Sequence, residues 1–385
     1  MNIARRSRRR AKALRQSALK RRSIMYVDCG KTNCRIGIID TNGLPIQQML
    51  NYDVTKFNSV EQILEDAFRQ FGSIPRRIVF ALPGPIDRQN RTVKLLDLDW
   101  PMFDLGKFEQ ATGCKGILVN DLQLQAAGCQ YNLKNHRNRK PPKRFRRVRA
   151  RNRRHTNAFE HFRLVKPGND SHADWQAGVW LDGRVVVATL TTGDNISGYD
   201  GWGFPWAFEA GHINIVGTTD DEKSYCEFSA RFHNEEGGRA ERLIGGARAF
   251  RTAVAWLRSM GETPGAEAAA AIAALEGAGK GVGPAITAHP DDPFCARIIR
   301  VLGGLMANWL RAIMEFMQPD ALLILVGTIM VLAGHLFVDP KRSPFVERLP
   351  QSIPYPERLN EFTVVRCVDP DLARKGACVI ARRVK

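Results

Sequence analysis

The chain has 385 residues, 44% of them hydrophobic, which at this length supports two folded domains rather than one core. Eight cysteines stand singly with no CxxC spacing, at Cys29, Cys34, Cys114, Cys129, Cys226, Cys295, Cys367 and Cys378, which argues against a disulfide framework or a thiolate zinc site and fits a reducing, cytoplasmic setting. The net charge of +18 sits in two stretches: residues 1–22 hold ten Lys/Arg and no acid, and residues 132–166 hold fourteen Lys/Arg against Glu160 alone, so the remainder is net acidic and the overall charge does not make it a nucleic-acid binder.

Residues 1–23 read as a basic, disordered tail, because like charges repel and no apolar period is present. The tail lacks the apolar core of a secretory signal, and Met25 is compatible with a start directly before the first strand. IMYVD and CRIGIID predict two strands around a tight turn. Residues 59–71 predict an amphipathic helix with Val60, Ile63, Leu64, Ala67 and Phe71 on one face. RRIVFALPGPID predicts a strand ending in a Pro-Gly-Pro loop, LGKFEQATG a helix stopped by glycine, KGILVND a buried strand, and LQLQAAGCQY the start of a helix. Strands alternating with helices imply an α/β domain.

The stretch from 132 to 172 reads as a basic, disordered insertion. WQAGVWLDGRVVVATL predicts a hairpin with Asp182-Gly183 at its turn, and TTGDNISGYDGWG a glycine-rich loop. Helices follow through EKSYCEFSARFH, RAERLIG, ARAFRTAVAWLRSM and an Ala-rich run at 266–275. VLGGLMANWLRAIMEFMQ predicts an amphipathic helix with Leu302, Leu305, Met306, Trp309, Leu310, Ile313 and Met317 on one side. The apolar run at 321–338 approaches the length of a membrane span. Its glycines, however, divide it into a buried strand, a turn and a helix start, so no membrane partner is expected.

Four groups of residues could carry chemistry. Asp28-Cys29-Gly30-Lys31-Thr32-Asn33 places a carboxylate at a strand end and then a small polar turn whose N–H groups could cradle a phosphate, with Asp28 suited to a hydrated Mg²⁺. The same residues also suit an ordinary hairpin turn. Asn120-Asp121 ends an apolar strand, where Asp121 could serve as a general base or cap the next helix. Glu209 and His212 bracket Ala-Gly in FEAGHINI and could bind hydroxyls. Glu241 could join them or pair with Arg239 or Arg242 on a helix surface.

The order of these groups resembles the bacterial glucokinase family, within the sugar-kinase and actin-like superfamily that includes the repressor/open-reading-frame/kinase group. The resemblance covers residues 24–131 and roughly 178–385. It implies two RNase H-like (actin-like ATPase) α/β domains with a cleft between them, the second larger and helix-rich. The small domain would span 24–131, joined by a C-terminal helix at 370–385, and the large domain 173–369. DCGKTN resembles the family's DxGGTN phosphate motif, so Asp28, Gly30, Lys31, Thr32 and Asn33 would face nucleotide phosphates, with Lys31 in place of a glycine. ALPGPID resembles the sugar loop, shaped by Pro83 and Gly84, and Asp97 of LDLDW stands where an asparagine usually contacts sugar. Asn120 and Asp121 match the sugar-binding asparagine and the catalytic aspartate; Glu209, His212 and Glu241 match the remaining hydroxyl ligands. TLTTGDNISG resembles the second phosphate motif through Thr192 and Gly193, although Asp194 and Asn195 depart from it. LILVGTIMV resembles the adenosine motif through Gly327, with Thr328 where a second glycine is usual.

The resemblance implies an ATP-dependent, Mg²⁺-requiring hexose kinase acting on glucose or a related hexose, and it is compatible with a homodimer. Two other classes remain. One is a sugar-binding regulator with weakened kinase activity, suggested by the altered phosphate motifs. The other is a nucleic-acid-associated protein using the two basic stretches. Phe145 is the only aromatic among the arginines of 137–154, which gives bases little to stack on.

Overall fold

The computed structural model describes residues 23–30, 33–72, 74–95, 98–138, 161–166, 184–190, 195–200, 203–208, 210–234, 238–317, 322–338, 343–352 and 363–382. The chain divides into two compact units, residues 1–134 with 371–385, and residues 135–370.

The first unit is built on a mixed five-stranded sheet in the order β3-β2-β1-β4-β8. Strand β1 (Ile24–Cys29) pairs antiparallel with β2 (Asn33–Ile39), which pairs antiparallel with β3 (Leu50–Asp53). On its other side β1 runs parallel to β4 (Arg77–Ala81), and β4 parallel to β8 (Lys115–Val119). A small antiparallel sheet of β5 (Ile86–Asp87), β6 (Thr92–Val93) and β7 (Phe103–Asp104) lies between them in sequence. Helix α1 (Val60–Phe71) starts at Ser59, whose hydroxyl accepts from Gln62 N, and stops at Gly72 in the left-handed region. Helix α2 (Leu105–Thr112) stops at Gly113 in the same way.

Met25, Val27, Cys29, Ile36, Ile78 and Phe80 from the strands share one core with Val60, Ile63, Leu64 and Ala67 of α1. Helix α3 (Asp121–Asn138), as far as residue 134, and the C-terminal helix α13 (Leu372–Ala381) belong to the same unit. They cross backbone to backbone: a Cβ on Gly128 would lie 2.3 Å from Leu372 O, and one on Gly376 would lie 1.9 Å from Leu124 O. Helix α13 also holds the β2–β3 turn, with Cys378 Sγ 3.1 Å from Thr41 O and the Arg374 guanidinium on Gly43 O.

The second unit carries a six-stranded sheet in the order β12-β11-β10-β13-β14-β9. Strand β9 (Phe162–Lys166) pairs antiparallel with β14 (Thr363–Cys367). Strand β10 (Arg184–Thr189) pairs antiparallel with β11 (Asn195–Asp200), which pairs antiparallel with β12 (Trp206–Phe208). Strand β13 (Leu322–Val326) is parallel to both β10 and β14. The helices in chain order are α4 (Asp220–His233), α5 (Ala240–Leu243), α6 (Gly246–Ser259), α7 (Ala266–Gly277), α8 (Gly283–Ala288), α9 (Pro293–Met317), α10 (Thr328–Leu332), α11 (Gly334–Phe337) and α12 (Pro344–Ser352). Val186, Ala188, Ile196, Leu323, Leu325 and Val364 of the sheet share one core with α9.

Several sequence expectations change here. Within the glycine-rich loop expected over 191–203, residues 195–200 are strand β11. Gly198 is a packing position, since a Cβ there would meet the Trp206 ring and Val185 O, each at 2.4 Å. Within the insertion expected over 132–172, α3 runs on to Asn138 and residues 162–166 form β9, anchored by buried Phe162 and Val165. Two buried apolar residues among many cations gave no visible period. The helix expected from 301 starts at Pro293 and is buried all round over 301–310 rather than on one side. Gly303 and Gly304 admit close neighbours, Pro344 and Glu222, where a larger residue would clash. The run at 321–338 is a strand, a glycine and short helices, and among the described residues no helix is long and apolar enough to cross a membrane. The basic tail, most of the basic insertion and the Asp182-Gly183 turn lie outside the described residues.

Candidate active site

In the first unit three parallel strand ends line up. Asp28 of β1 stands opposite Ala81 of β4, and Ala81 opposite Val119 of β8. The chain leaves β4 through Leu82, whose N–H bonds Val119 O at 3.1 Å, and enters Pro83-Gly84. It leaves β8 into Asn120-Asp121. The turn after β1, the Pro-Gly-Pro loop and the Asn-Asp pair, far apart in sequence, thus share one edge of the sheet. The carboxyl ends of parallel strands are where open α/β sheets bind ligands.

Asp28 is half-buried, and its pKa is raised by that burial, with Arg35 pulling it the other way. Arg35 stands directly across the hairpin, its Nη1 4.0 Å from Asp28 Oδ2. The sequence reading missed Arg35. The hairpin register pairs 28 with 35, and the short spacing between the two predicted strands was the available signal. Gly30 N donates to Asn33 O at 2.8 Å and closes the turn. A Cβ at position 30 would meet nothing closer than Asn33 O at 3.7 Å, so the hairpin itself does not demand glycine there. Asn33 is exposed at the start of β2; Lys31 and Thr32 lie outside the described residues.

Gly84 is buried with φ 130°, a conformation reserved for glycine, and Pro83 before it is half-buried. Asn120 takes the capping role that Asp121 might have filled. Its Oδ1 accepts from Leu122 N at 2.9 Å, while Gln123 Oε1 accepts from Asn120 N at 3.0 Å. Asp121 is the first helical residue, half-buried, at the positive end of the helix dipole. The cap fixes Asn120 through its oxygen, so a ligand would be met by its Nδ2 donors. Asp97 lies outside the described residues; nearby Trp100 is buried, with Nε1 donating to Phe57 O at 3.0 Å.

The second unit repeats the device. Thr189 pairs with Asn195 across the hairpin and with Val326 on the parallel side, and Leu190 N bonds Val326 O at 2.9 Å. The β10–β11 turn and Gly327 therefore leave adjacent strand ends. Gly327, with φ 115°, passes directly into α10. Thr192, Gly193 and Asp194 of the turn, and Glu209, lie outside the described residues.

His212 is exposed, in a single turn over Ala210–His212, and Glu241 is half-buried in the first turn of α5. Asn214 and Arg239 form a bridge, with Ile215 N on Gly238 O at 2.8 Å and Ala240 N on Ile213 O at 2.9 Å. His212 and Glu241 are thus the immediate chain neighbours of the bonded pair Ile213–Ala240.

Among the described residues no group of three or more His, Cys, Asp or Glu could hold a metal ion. Magnesium takes one or two carboxylates and completes its shell with water and phosphate oxygens. Asp28, a single carboxylate beside a turn, fits an ion carried in by a nucleotide.

Residues 25–141 match the family model described as Glucokinase. No curated protein sequence matches the chain. The glucokinase match covers Asp28, Pro83, Gly84, Asn120 and Asp121, and stops before every candidate residue of the second unit. Solved structures extend the likeness across both units. The glucokinase from Balamuthia mandrillaris in complex with glucose is 16% identical with a TM-score of 0.69, covering 95% of this chain and 98% of that one. The ROK family glucokinase from Streptomyces griseus in complex with glucose and AMPPNP is 19% identical with a TM-score of 0.61, covering 94% and 99%. A ROK family transcriptional regulator, a homolog of the E. coli MLC protein, is 14% identical with a TM-score of 0.61, covering 94% and 78%. At such identities the likeness is one of fold, and the fold is the glucokinase one.

Proposed function

We propose that this chain is an ATP-dependent hexose kinase, a glucokinase, that transfers the γ-phosphoryl group of Mg-ATP to the 6-hydroxyl of glucose. The observation that carries the reading is the register of the first unit, which sets Asp28, Pro83-Gly84 and Asn120-Asp121 at aligned strand ends. The family match over the same residues supports it. In this reading both sheets are RNase H-like, which their matching strand orders favour.

Asp121 accepts the proton of the 6-hydroxyl as that oxygen bonds to the γ-phosphorus and the bond to the leaving ADP oxygen breaks. Asn120 donates to a sugar hydroxyl and orients it. Gly84 lets the backbone of its loop approach the sugar closely. His212 and Glu241, with Glu209, are the second unit's candidates for further hydroxyls, and Asp97 the first unit's. The N–H groups of the two hairpin turns, at Gly30 to Asn33 and Thr192 to Gly193, with Gly327, serve the nucleotide. Magnesium, held through Asp28, would supply neutralisation of phosphate charge.

A second reading, a sugar-binding regulator with weakened kinase activity, is favoured by Lys31 in place of a motif glycine and by the regulator that shares this fold. The test is incubation of the purified protein with Mg-ATP and a hexose panel, measuring sugar 6-phosphate and ADP together. Stoichiometric glucose-dependent products support the kinase. Glucose binding without product sinks it and leaves the regulator.

A further inference from the structure

The segment carrying His212 is suspended from α9 at both ends. Trp309 Nε1 donates to Ala210 O at 3.1 Å, and both residues are fully buried. One position earlier, Asn308 Nδ2 donates to Val216 O at 3.1 Å. Asn308 is itself fixed, its Nδ2 lying 3.3 Å from Glu222 Oε2. That carboxylate accepts from Thr218 N at 2.7 Å and Thr218 Oγ1 at 2.8 Å, so it ties down the chain just past Val216. The middle of the segment is bonded to 238–240, which leads into Glu241.

Two adjacent side chains of one buried helix thus set the position of His212 and, through the Ile213–Ala240 bond, of Glu241. Trp309 also belongs to the hydrophobic core of the second unit, so its hydrogen bond is to be separated from its packing. Each of the two side chains bonds a carbonyl that an apolar residue could not satisfy. We propose that Trp309 and Asn308 are positioning residues for sugar binding: they hold the His212 segment at the height where His212 and Glu241 meet sugar hydroxyls. The inference rests on the proposed hexose-kinase reading.

Trp309→Phe keeps most of the ring and removes the donor. It should raise the KM and the calorimetric Kd for glucose roughly tenfold, the scale of one hydrogen bond lost in a buried setting. The KM for ATP and kcat should stay within about twofold. Trp256→Phe is the matched control. Trp256 is as deeply buried in the same unit, and its Nε1 donates to Ser224 Oγ at 3.1 Å, away from the His212 segment. It should lower Tm comparably and leave glucose affinity unchanged. Asn308→Ser, a smaller disruption, should weaken glucose binding about threefold. Equal losses of glucose affinity in Trp309→Phe and Trp256→Phe would reduce the effect to general stability and overturn the positioning role. So would unchanged affinity in both Trp309→Phe and Asn308→Ser. A wild-type protein that binds no hexose overturns the kinase reading first, and this inference with it, so the two failures are told apart by the wild type alone.

Discussion

The two units share a plan and differ in what the plan carries. In each, one strand pairs antiparallel with its hairpin partner on one side and parallel with a later strand on the other: β1 with β2 and β4, β10 with β11 and β13. In each, the residue after a central strand bonds across to its parallel neighbour, Leu82 to Val119 and Leu190 to Val326. The first unit adds a crossing of α3 and α13 behind its sheet, whereas the second adds β9 and a longer run of helices. Only the first matches the glucokinase family model. A hairpin turn next to a parallel strand end is therefore a reusable scaffold, and the residues placed on it decide the chemistry.

The largest expected effect tests that division. Asp121→Asn keeps the helix cap at the β8–α3 junction, which belongs to Asn120 and Gln123. It should lower kcat by roughly 10²–10⁴-fold, the usual worth of a general base. Glucose affinity should change by less than about threefold, since the side chain keeps its shape and half of its hydrogen-bonding capacity. Calorimetry with glucose alone reads the affinity, and product formation reads kcat. A variant that turns over normally would remove Asp121 as proton acceptor.

A smaller effect separates the two units by packing. On Gly376→Ala the new methyl would meet Leu124 O at 1.9 Å, and backbone cannot step aside. On Gly304→Ala the nearest atom is Glu222 Oε1 at 2.3 Å, the end of a side chain. The first substitution should destabilise by about 3 kcal/mol or more and the second by about 1–2 kcal/mol, in the range of overpacked cores. Urea unfolding of both variants checks the order. A reversed order would mean that the buried Glu222 is held more rigidly than the crossing of α3 and α13.

The first unit was the more legible in sequence, for physical reasons. Its strands are short apolar runs bounded by glycine, proline or asparagine, and its helices carry caps that can be read directly, Ser59 and Gly72 among them. The order of its motifs carried the family resemblance, whereas the alignment of the strand ends rests on register. Pairings that depend on register were less accessible, as with Arg35 opposite Asp28. In the second unit NISGYD looked like loop because it contains serine, glycine and aspartate, yet Gly198 serves the Trp206 ring and Ser197 is fully buried. Strand β9 was hidden because Arg163 and Lys166 interrupt the apolar Phe162 and Val165 within a long basic stretch. Tertiary partners decide such segments, and a local pattern does not contain them. The roles of Asn308 and Trp309 were invisible for the same reason: each reads as one more residue of a buried helix.

The smallest expected effect concerns two carboxylates, one in each unit. Glu109 accepts both terminal nitrogens of Arg91, at 3.0 and 2.8 Å, and Gly116 N at 2.8 Å; its pKa is lowered, chiefly by the Arg91 bond. Burial pushes the Glu222 carboxyl up, but bonds from Thr218 and Thr219 and the nearby Arg348 outweigh it and leave the pKa lowered. In both cases the unfolded chain binds a proton more readily than the folded one. The stability each supplies is therefore complete above the ordinary glutamate pKa of about 4.3 and is lost as pH falls through the lower folded value. Acid titration followed by circular dichroism should show a steeper loss below about pH 4.3 in the wild type than in Glu109→Gln or Glu222→Gln. Salt separates them. The Arg91–Glu109 pair is partly exposed and should weaken at about 0.5 M NaCl, where the screening length falls to a few ångströms. The Glu222 contribution rests on short hydrogen bonds to a buried carboxylate and should persist. If salt removed both contributions equally, Glu222 would depend on Arg348 rather than on those hydrogen bonds. The rigidity assigned to the segment after Val216 would then have to come from Asn308 alone.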